Sequence, residues 1–258
     1  MRKYSQVFLK NKDIAKKIVN LFTELNSGNR TVEIGPGKGI LTAFLYNYYR
    51  ENLTVIDIDP LMIENIKKII PGIKAINDDF LKLDLDKLNV SYFIGNLPYH
   101  ISTAIIEKLI RYRDFKLGVF MLQKEVARKL ISDESDLEYG YLSAMVNLIC
   151  KTDYLLDVSK DDFFPVPMVD SAIVLIEKNK IIPQAEFEKY LRFIGYAFRH
   201  KRKTLVNSIN LSTGIEKEKI IKILERNSIN SNIRTEKLSP EKLFELSKAL
   251  NIGFTERR

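Results

Sequence analysis

The sequence has 258 residues, with 41 Lys plus Arg against 33 Asp plus Glu and a formal net charge of +8. This length suits one large domain or two smaller ones. A single cysteine, Cys150, excludes a disulfide within the sequence, and two histidines with one cysteine cannot build the usual metal cluster, so we expect no metal. Residues 1–6 lack the apolar core of a signal peptide and no run approaches a membrane span, which predicts a cytoplasmic protein without membrane contact.

The first predicted strand, residues 31–34, leads through a glycine-rich turn into a helix that begins near Ile40. Gly35, Gly37 and Gly39 allow the backbone to turn tightly and to approach a ligand closely. No third glycine falls three residues after the second, so the turn is not the dinucleotide fingerprint and argues against NAD.

The second predicted strand, residues 53–59, ends in acidic residues. Asp57 follows Gly35 by 22 residues, the interval expected for a carboxylate that binds ribose hydroxyls at the end of the next strand. Asp59 precedes Pro60 and is predicted to cap the following helix.

A third predicted strand, residues 73–76, is followed by an acidic turn with Asp79 and Phe80. The Asp79 carboxylate could bind the exocyclic amine of a cofactor adenine, and Phe80 could flank its ring. A solvated acidic turn is the alternative, and the more frequent one for this segment alone. Ligands in open α/β sheets lie beyond the carboxyl ends of the strands, and this placement favours a binding site.

The fourth predicted strand, residues 92–95, leads directly into Asn96, Leu97, Pro98 and Tyr99. The Asn96 amide oxygen and the Leu97 carbonyl could accept the two hydrogens of an adenine N6 amine and so localise its lone pair. Pro98 restricts the backbone that carries this carbonyl. The Tyr99 ring offers a stacking surface for a flipped-out base. An ordinary strand-to-helix turn is the alternative, but the context predicts methyl transfer to a base nitrogen.

The C-terminal third is predicted to be helical and basic. Apolar periodicity indicates helices over residues 186–198, 215–224 and 240–250, after a last strand at 171–176. Residues 1–179 carry 24 basic and 24 acidic side chains, whereas residues 180–258 carry 17 basic and 9 acidic ones. A solvated helical face is the alternative, but clustered cations at the start of a helix oppose its dipole and indicate RNA binding. The cluster comprises Arg199, Lys201, Arg202 and Lys203.

In their joint order, several segments make the chain similar to the KsgA-type (RsmA) small-subunit ribosomal RNA adenine N6,N6-dimethyltransferases. The segments are residues 5–9, 33–37, 96–99, 121–127, 139–143, 163–172 and 198–205.

This resemblance implies an α/β fold with a Rossmann-like methyltransferase domain. Residues 179–184, which include Pro183, form the predicted boundary to the smaller all-helical domain, so the two domains are 1–179 and 180–258. It implies S-adenosylmethionine as the methyl donor and two adjacent adenosines near the 3′ end of small-subunit ribosomal RNA as acceptors. Each adenosine would be dimethylated on N6 during ribosome biogenesis. We expect the protein to act as a monomer.

The resemblance also implies roles for individual residues. Phe163 matches an aromatic residue that would sandwich the target base opposite Tyr99. Val7 replaces a usual Asn or His and offers no polar side chain, Asp57 replaces a usual Glu, and His100 stands where Asn is usual. The predicted donor contacts are Val7, Leu9, Gly35, Gly37, Asp57, Asp79, Phe80 and Asn96.

Two alternatives remain at this stage. An Erm-type enzyme would methylate large-subunit ribosomal RNA, but Leu97 and the segments at 165–171 and 202–205 favour the small-subunit enzyme. A non-catalytic assembly factor would bind ribosomal RNA alone, and the intact Asn96, Pro98 and Tyr99 argue against it.

Overall fold

The computed structural model describes residues 7–250, so Ser5 and Gln6 of the N-terminal motif lie outside the described residues. The described chain separates into two compact units. One comprises the residues up to 128 together with 151–179, and the other comprises 129–150 and the residues from 180 onward.

The first unit is built on a seven-stranded sheet. In spatial order its strands are β4 (Lys74–Asn77), β3 (Leu53–Asp57), β2 (Thr31–Ile34), β5 (Tyr92–Asn96), β6 (Leu117–Gln123), β9 (Ser171–Lys178) and β7 (Cys150–Val158). The first five strands of this order are parallel, and β9 runs antiparallel to β6. A separate ribbon pairs β1 (Phe8–Leu9) antiparallel with β8 (Phe163–Phe164).

The central strands are apolar on both faces, as expected for parallel strands buried between layers. Val55, Ile94 and Val119 are fully buried. The helices of this unit are α1 (Lys12–Leu25), α2 (Ile40–Tyr49), α3 (Pro60–Ile69) and α4 (Ser102–Arg111), and α5 (Lys124–Ile131) crosses the boundary between the units. Together the parallel strands and helices confirm the predicted α/β fold class.

The start of α3 follows the sequence prediction. Asp59 is its N-cap, with Oδ1 accepting a hydrogen bond from the Leu61 N–H at 3.0 Å, and Pro60 is the first helical residue. Asp59 thus uses its carboxylate to cap α3, whereas the Asp57 carboxylate at the end of β3 contacts the glycine turn.

The second unit is helical. Its helices are α6 (Tyr141–Asn147), α7 (Gln184–Ala197), α8 (Leu205–Thr213), α9 (Lys217–Arg226) and α10 (Pro240–Leu250). Tyr190 is fully buried among them, donates its hydroxyl to the Ala144 carbonyl at 2.7 Å and meets the Phe244 ring edge-on at 5.8 Å. No helix within residues 7–250 is long and apolar enough to cross a membrane.

Residues 129–150 group with the helical unit, although the sequence boundary placed them in the first domain. Tyr139 shows why, because its hydroxyl donates to the Leu238 carbonyl at 3.0 Å and its ring meets Phe198 edge-on at 5.8 Å. The segment brings one basic residue and four acidic ones into the helical unit, so the charge contrast between the units is smaller than the split at residue 179 suggests. These residues are Lys129, Asp133, Glu134, Asp136 and Glu138.

Candidate active site

A cavity of about 320 Å³ lies in the first unit, at the carboxyl ends of β2, β3 and β5. Most of the residues predicted to bind donor or acceptor line it. These are Val7, Leu9, Gly35, Gly37, Asp57, Asp79, Asn96, Leu97, Pro98 and Tyr99.

The glycine turn after β2 forms one wall of the cavity. Gly35 and Gly37 have φ values of 68° and 53°, in the left-handed region that side chains disfavour. A Cβ on Gly37 would lie 2.9 Å from Cδ1 of Phe8, so glycine is required there for contact with the ribbon as well. The turn is therefore fixed both by its backbone conformation and by its packing.

Asp57 is held in place by the same turn. Its Oδ2 accepts a hydrogen bond from the Gly37 N–H at 3.4 Å, and its Oδ1 accepts one from the Asp59 N–H at 2.9 Å. Burial raises the pKa of Asp57 above its usual value, and these backbone donors partly offset the rise. The side chain thus presents a pre-positioned hydrogen-bond acceptor to the cavity.

The acidic turn after β4 only partly matches the prediction. Asp79 lines the cavity, and its Oδ1 accepts a hydrogen bond from the Leu81 N–H at 3.0 Å. Phe80 is instead buried, meets the Phe93 ring edge-on at 6.3 Å and is absent from the cavity lining. The apolar side chain that the turn gives to the cavity is Leu81. Lys108 holds the turn from α4, donating to the Leu81 carbonyl at 3.0 Å and also to that of Leu83.

Asn96 occupies the end of β5, where its Nδ2 donates a hydrogen bond to the Val7 carbonyl at 3.3 Å. No donor among residues 7–250 engages its Oδ1, which leaves this oxygen available as an acceptor. Val7 therefore acts through its main chain, consistent with the expectation that its side chain makes no polar contact.

The turn after Asn96 is anchored from two other strands. The Leu97 N–H donates to the Met121 carbonyl on β6 at 3.1 Å, while the Leu97 side chain is buried. The Tyr99 hydroxyl and the Ser171 Oγ on β9 share a hydrogen bond of 2.8 Å. Burial raises the pKa of Tyr99 above its usual value, so the phenol stays neutral near pH 7. The Ile101 N–H donates to the Pro98 carbonyl at 3.1 Å and closes the turn.

Phe163 is not placed as the sequence predicted. In the β1–β8 ribbon, Leu9 faces Phe163 and Phe8 faces Phe164, and successive side chains of a strand point to opposite sides. Leu9 and Phe163 lie in the core, with Phe163 fully buried, whereas Phe164 is 57% exposed. Phe163 therefore has no face open to a base in this structure, and the outward aromatic residue is Phe164.

Glu33 is a cavity residue that the sequence interpretation missed. Glu33 on β2 is 1% exposed, and no described residue bonds its Oε2. Burial raises its pKa to about 8, with the Thr42 hydroxyl opposing the rise and the Asp57 charge adding to it. The sequence feature that could have indicated Glu33 is a single acidic residue in an otherwise uncharged strand, directly before the glycine turn.

Glu33 predicts a pH dependence of stability. Its pKa is about 8 in the folded state and close to 4.5 in the unfolded state, so only the unfolded chain releases the proton between these values. The free energy of unfolding should therefore fall as the pH rises through this window, by at most about 1.4 kcal/mol per pH unit. Urea unfolding of wild type and Glu33→Gln will show a stability difference that shifts against the wild type with rising pH. Glu51→Gln, at an exposed position, is the control and should leave the pH profile unchanged. Identical pH profiles for wild type and Glu33→Gln would contradict the prediction.

The predicted basic cluster lies in the second unit, in the turn between α7 and α8, directly before the start of α8. Arg199, Lys201, Arg202 and Lys203 are all exposed. The Lys203 N–H donates to the His200 carbonyl at 2.8 Å, and Thr204 caps α8 directly after the cluster. Within residues 7–250, no group of three or more His, Cys, Asp or Glu side chains could hold a metal ion.

The sequence is similar to those of known proteins over almost its whole length. Residues 1–251 match the family model described as ribosomal RNA adenine dimethylase. Ribosomal RNA small subunit methyltransferase A of Malacoplasma penetrans is 36% identical, with 93% of this chain and 88% of that protein covered. The enzyme of the same name from Mycoplasmopsis pulmonis is 34% identical, with 95% and 96% covered.

Two solved structures share the fold of this chain over almost its whole length. A dimethyladenosine transferase from Plasmodium falciparum has a TM-score of 0.77 at 26% identity, with 95% of this chain and 97% of that chain covered. The 23S rRNA methyltransferase ErmE shares the fold, with a TM-score of 0.69 at 23% identity over 95% and 99% of the two chains. The family match and the curated relatives confirm the predicted resemblance, and the chain belongs to the ribosomal RNA adenine dimethylase family.

Proposed function

We propose that this protein transfers methyl groups from S-adenosylmethionine to N6 of two adjacent adenosines near the 3′ end of small-subunit ribosomal RNA. Family membership and the names of the relatives support an rRNA adenine dimethyltransferase. The observation that carries the proposal is the meeting of the glycine turn, Asp57 and the Asn96 turn in one cavity. Coupling of this activity to ribosome biogenesis is part of the proposal.

The residues of the cavity fit the donor. Asp57, held by the Gly37 and Asp59 N–H groups, would accept from ribose hydroxyls, and Asp79, which lines the cavity, would accept from an adenine amine. Burial keeps the Glu33 carboxyl protonated near pH 7, and its Oε2, which has no hydrogen-bond partner among the described residues, would offer the donor a polar contact rather than a charge. The donor would supply an activated methyl group carried on a sulfonium.

The Asn96 turn provides what the acceptor requires. The Asn96 Oδ1 and the Leu97 carbonyl receive no hydrogen bond from the described residues, so both can accept from an N6 amine. Two acceptors fixed in place would localise the nitrogen lone pair and orient it toward the donor side of the cavity. Tyr99, oriented by Ser171, would stack on the adenine ring. No strong base is needed, because the methylated nitrogen releases its proton readily to solvent.

A methylation assay tests this proposal. Small subunits that lack the modification are incubated with protein and tritiated donor, and the ribosomal RNA is digested to nucleosides. We expect N6,N6-dimethyladenosine from small subunits and no label in large subunits. Label in large subunits alone would indicate the Erm-type reaction, and subunit binding without label would indicate a non-catalytic assembly factor.

We further propose that the helical unit binds the phosphates of ribosomal RNA through the basic turn at residues 199–203. Reversing Arg202 and Lys203 to Glu should weaken subunit binding and lower the salt slope by about 0.7–0.9 per lost phosphate contact. Donor affinity, measured by calorimetry, should not change. Lys217→Glu with Lys219→Glu on α9 changes the charge equally at exposed sites and serves as the control. Equal binding and salt slopes for both double variants, with normal melting, would show that the cluster is only a solvated surface.

A further inference from the structure

Two aromatic rings of the β1–β8 ribbon lie within contact distance of a lysine that lines the cavity. Phe8 and Phe164 are directly opposite one another in the antiparallel register. The Lys38 Nζ lies 5.0 Å from the centroid of the Phe8 ring and 5.9 Å from that of the Phe164 ring. Both distances lie within the range of cation–π contact. We call these three residues the ribbon cluster.

The ribbon cluster has features that the fold does not require. Lys38 is exposed, and no carboxylate within residues 7–250 pairs with it. Phe164 leaves 57% of its surface exposed, while its neighbour Phe163 already fills the core. An exposed aromatic ring beside an unpaired cation matches the surfaces that bind single-stranded nucleic acid, where bases stack and phosphates pair.

The ribbon cluster lies beside the residues that would hold the acceptor. Phe8 and Lys38 line the same cavity as Asn96 and Tyr99. A base flipped into that cavity keeps its neighbouring nucleotide attached, so the neighbour must lie close to the cavity rim. The proposed substrate carries two adjacent adenosines, and the neighbour of either target is therefore a purine with a large stacking face.

We propose that the ribbon cluster binds the nucleotide next to the target adenosine, with its base on Phe164 and its phosphodiester on Lys38. This inference rests on the proposed function and deepens it. The cluster holds one adenosine outside while the Asn96 turn holds the other, and it thereby selects a substrate in which the two are adjacent. The donor's carboxylate is the competing ligand for Lys38, and measurement of donor affinity separates the two cases.

The test compares three variants on small subunits. Phe164→Ala should raise the KM for subunits about five- to 150-fold, the range for loss of one base-stacking aromatic residue. Lys38→Gln should lower the salt slope of subunit binding by about 0.7. Met168→Ala is the matched control, because Met168 is an apolar side chain in the segment after Phe164 and is 96% exposed. Melting temperature and donor affinity should stay at the wild-type values in all three. Weakened donor binding by Lys38→Gln would overturn the proposal and assign the lysine to the donor.

Altered ribosomal RNA provides the second measurement. In subunits where one of the two adjacent adenosines is replaced by uridine, the remaining adenosine has a weakly stacking neighbour. The effect of Phe164→Ala on KM should shrink to a few-fold on these subunits, while its effect on unaltered subunits stays large. An equal effect on both substrates would refute stacking of the neighbouring base. If wild type methylates subunits and Phe164→Ala does so with the same KM, this inference alone fails. If wild type does not methylate them, the proposed function fails first.

Discussion

Replacing Asn96 by alanine will lower the rate of methyl transfer to small subunits by about 10²–10³-fold, the effect of removing one fixed polar group from a reacting centre. The bond from Asn96 Nδ2 to the Val7 carbonyl orients the amide, and Oδ1, to which no residue among 7–250 donates, would accept from the target amine. Single-turnover rates with saturating subunits measure the change. Subunit affinity should remain within a few-fold of wild type, because one amide is lost among many phosphate contacts.

Asn96→Asp is the informative companion variant. It keeps the size of the side chain and the acceptor oxygen, but replaces the Nδ2 that donates to the Val7 carbonyl by a second oxygen. If the acceptor oxygen is the working part, Asn96→Asp will transfer methyl groups faster than Asn96→Ala. Equal rates for the two variants would show that the hydrogen bond to Val7, and not the acceptor, accounts for the effect. A wild-type rate in Asn96→Ala would remove Asn96 from the reaction.

Replacing Asp57 by alanine will weaken donor binding by about ten- to 150-fold, because a charge-assisted hydrogen bond to ribose contributes about 1.5–3 kcal/mol. Isothermal calorimetry measures this affinity directly. Asp59→Ala is the matched control, since Asp59 caps α3 and its loss should lower stability by about 1 kcal/mol without a comparable effect on the donor. Unchanged affinity in Asp57→Ala with a loss in Asp59→Ala would move the ribose contact to Asp59.

The parts of the site that follow strand ends were predictable from local sequence. Where a short apolar strand is followed by glycines, by Asp57 or by Asn96, the local sequence shows where the strand ends. Parallel strands then bring these ends to one edge of the sheet. The cavity accordingly gathers residues that are far apart in sequence. The cap at Asp59 was equally local, because Asp before Pro is a helix start regardless of the rest of the fold.

The choice between adjacent aromatic residues was not predictable in this way. Phe163 and Phe164 have the same side chain, and only the register of a two-residue ribbon decides which one enters the core. The burial of Phe80 was not predictable from local sequence either, because Phe80 packs against Phe93 on β5. Residues 129–150 join the helical unit through partners about a hundred positions away, such as Leu238 for Tyr139. Register and long-range partners are properties of the folded chain, and a local pattern does not contain them.

The hydrogen bond from Asn96 to Val7 has a consequence for how natural variation at this site should be interpreted. Every amino acid carries a main-chain carbonyl, so a change of side chain at position 7 leaves the acceptor for the Asn96 amide in place. Sequence divergence at position 7 is therefore compatible with the same orientation of the Asn96 amide. Loss of the segment itself is different: a protease that cleaves after Val7 would detach the carbonyl, and the Asn96 amide would be free to rotate in an otherwise intact fold. The orientation of the Asn96 amide thus depends on the main chain at Val7 and not on the Val7 side chain.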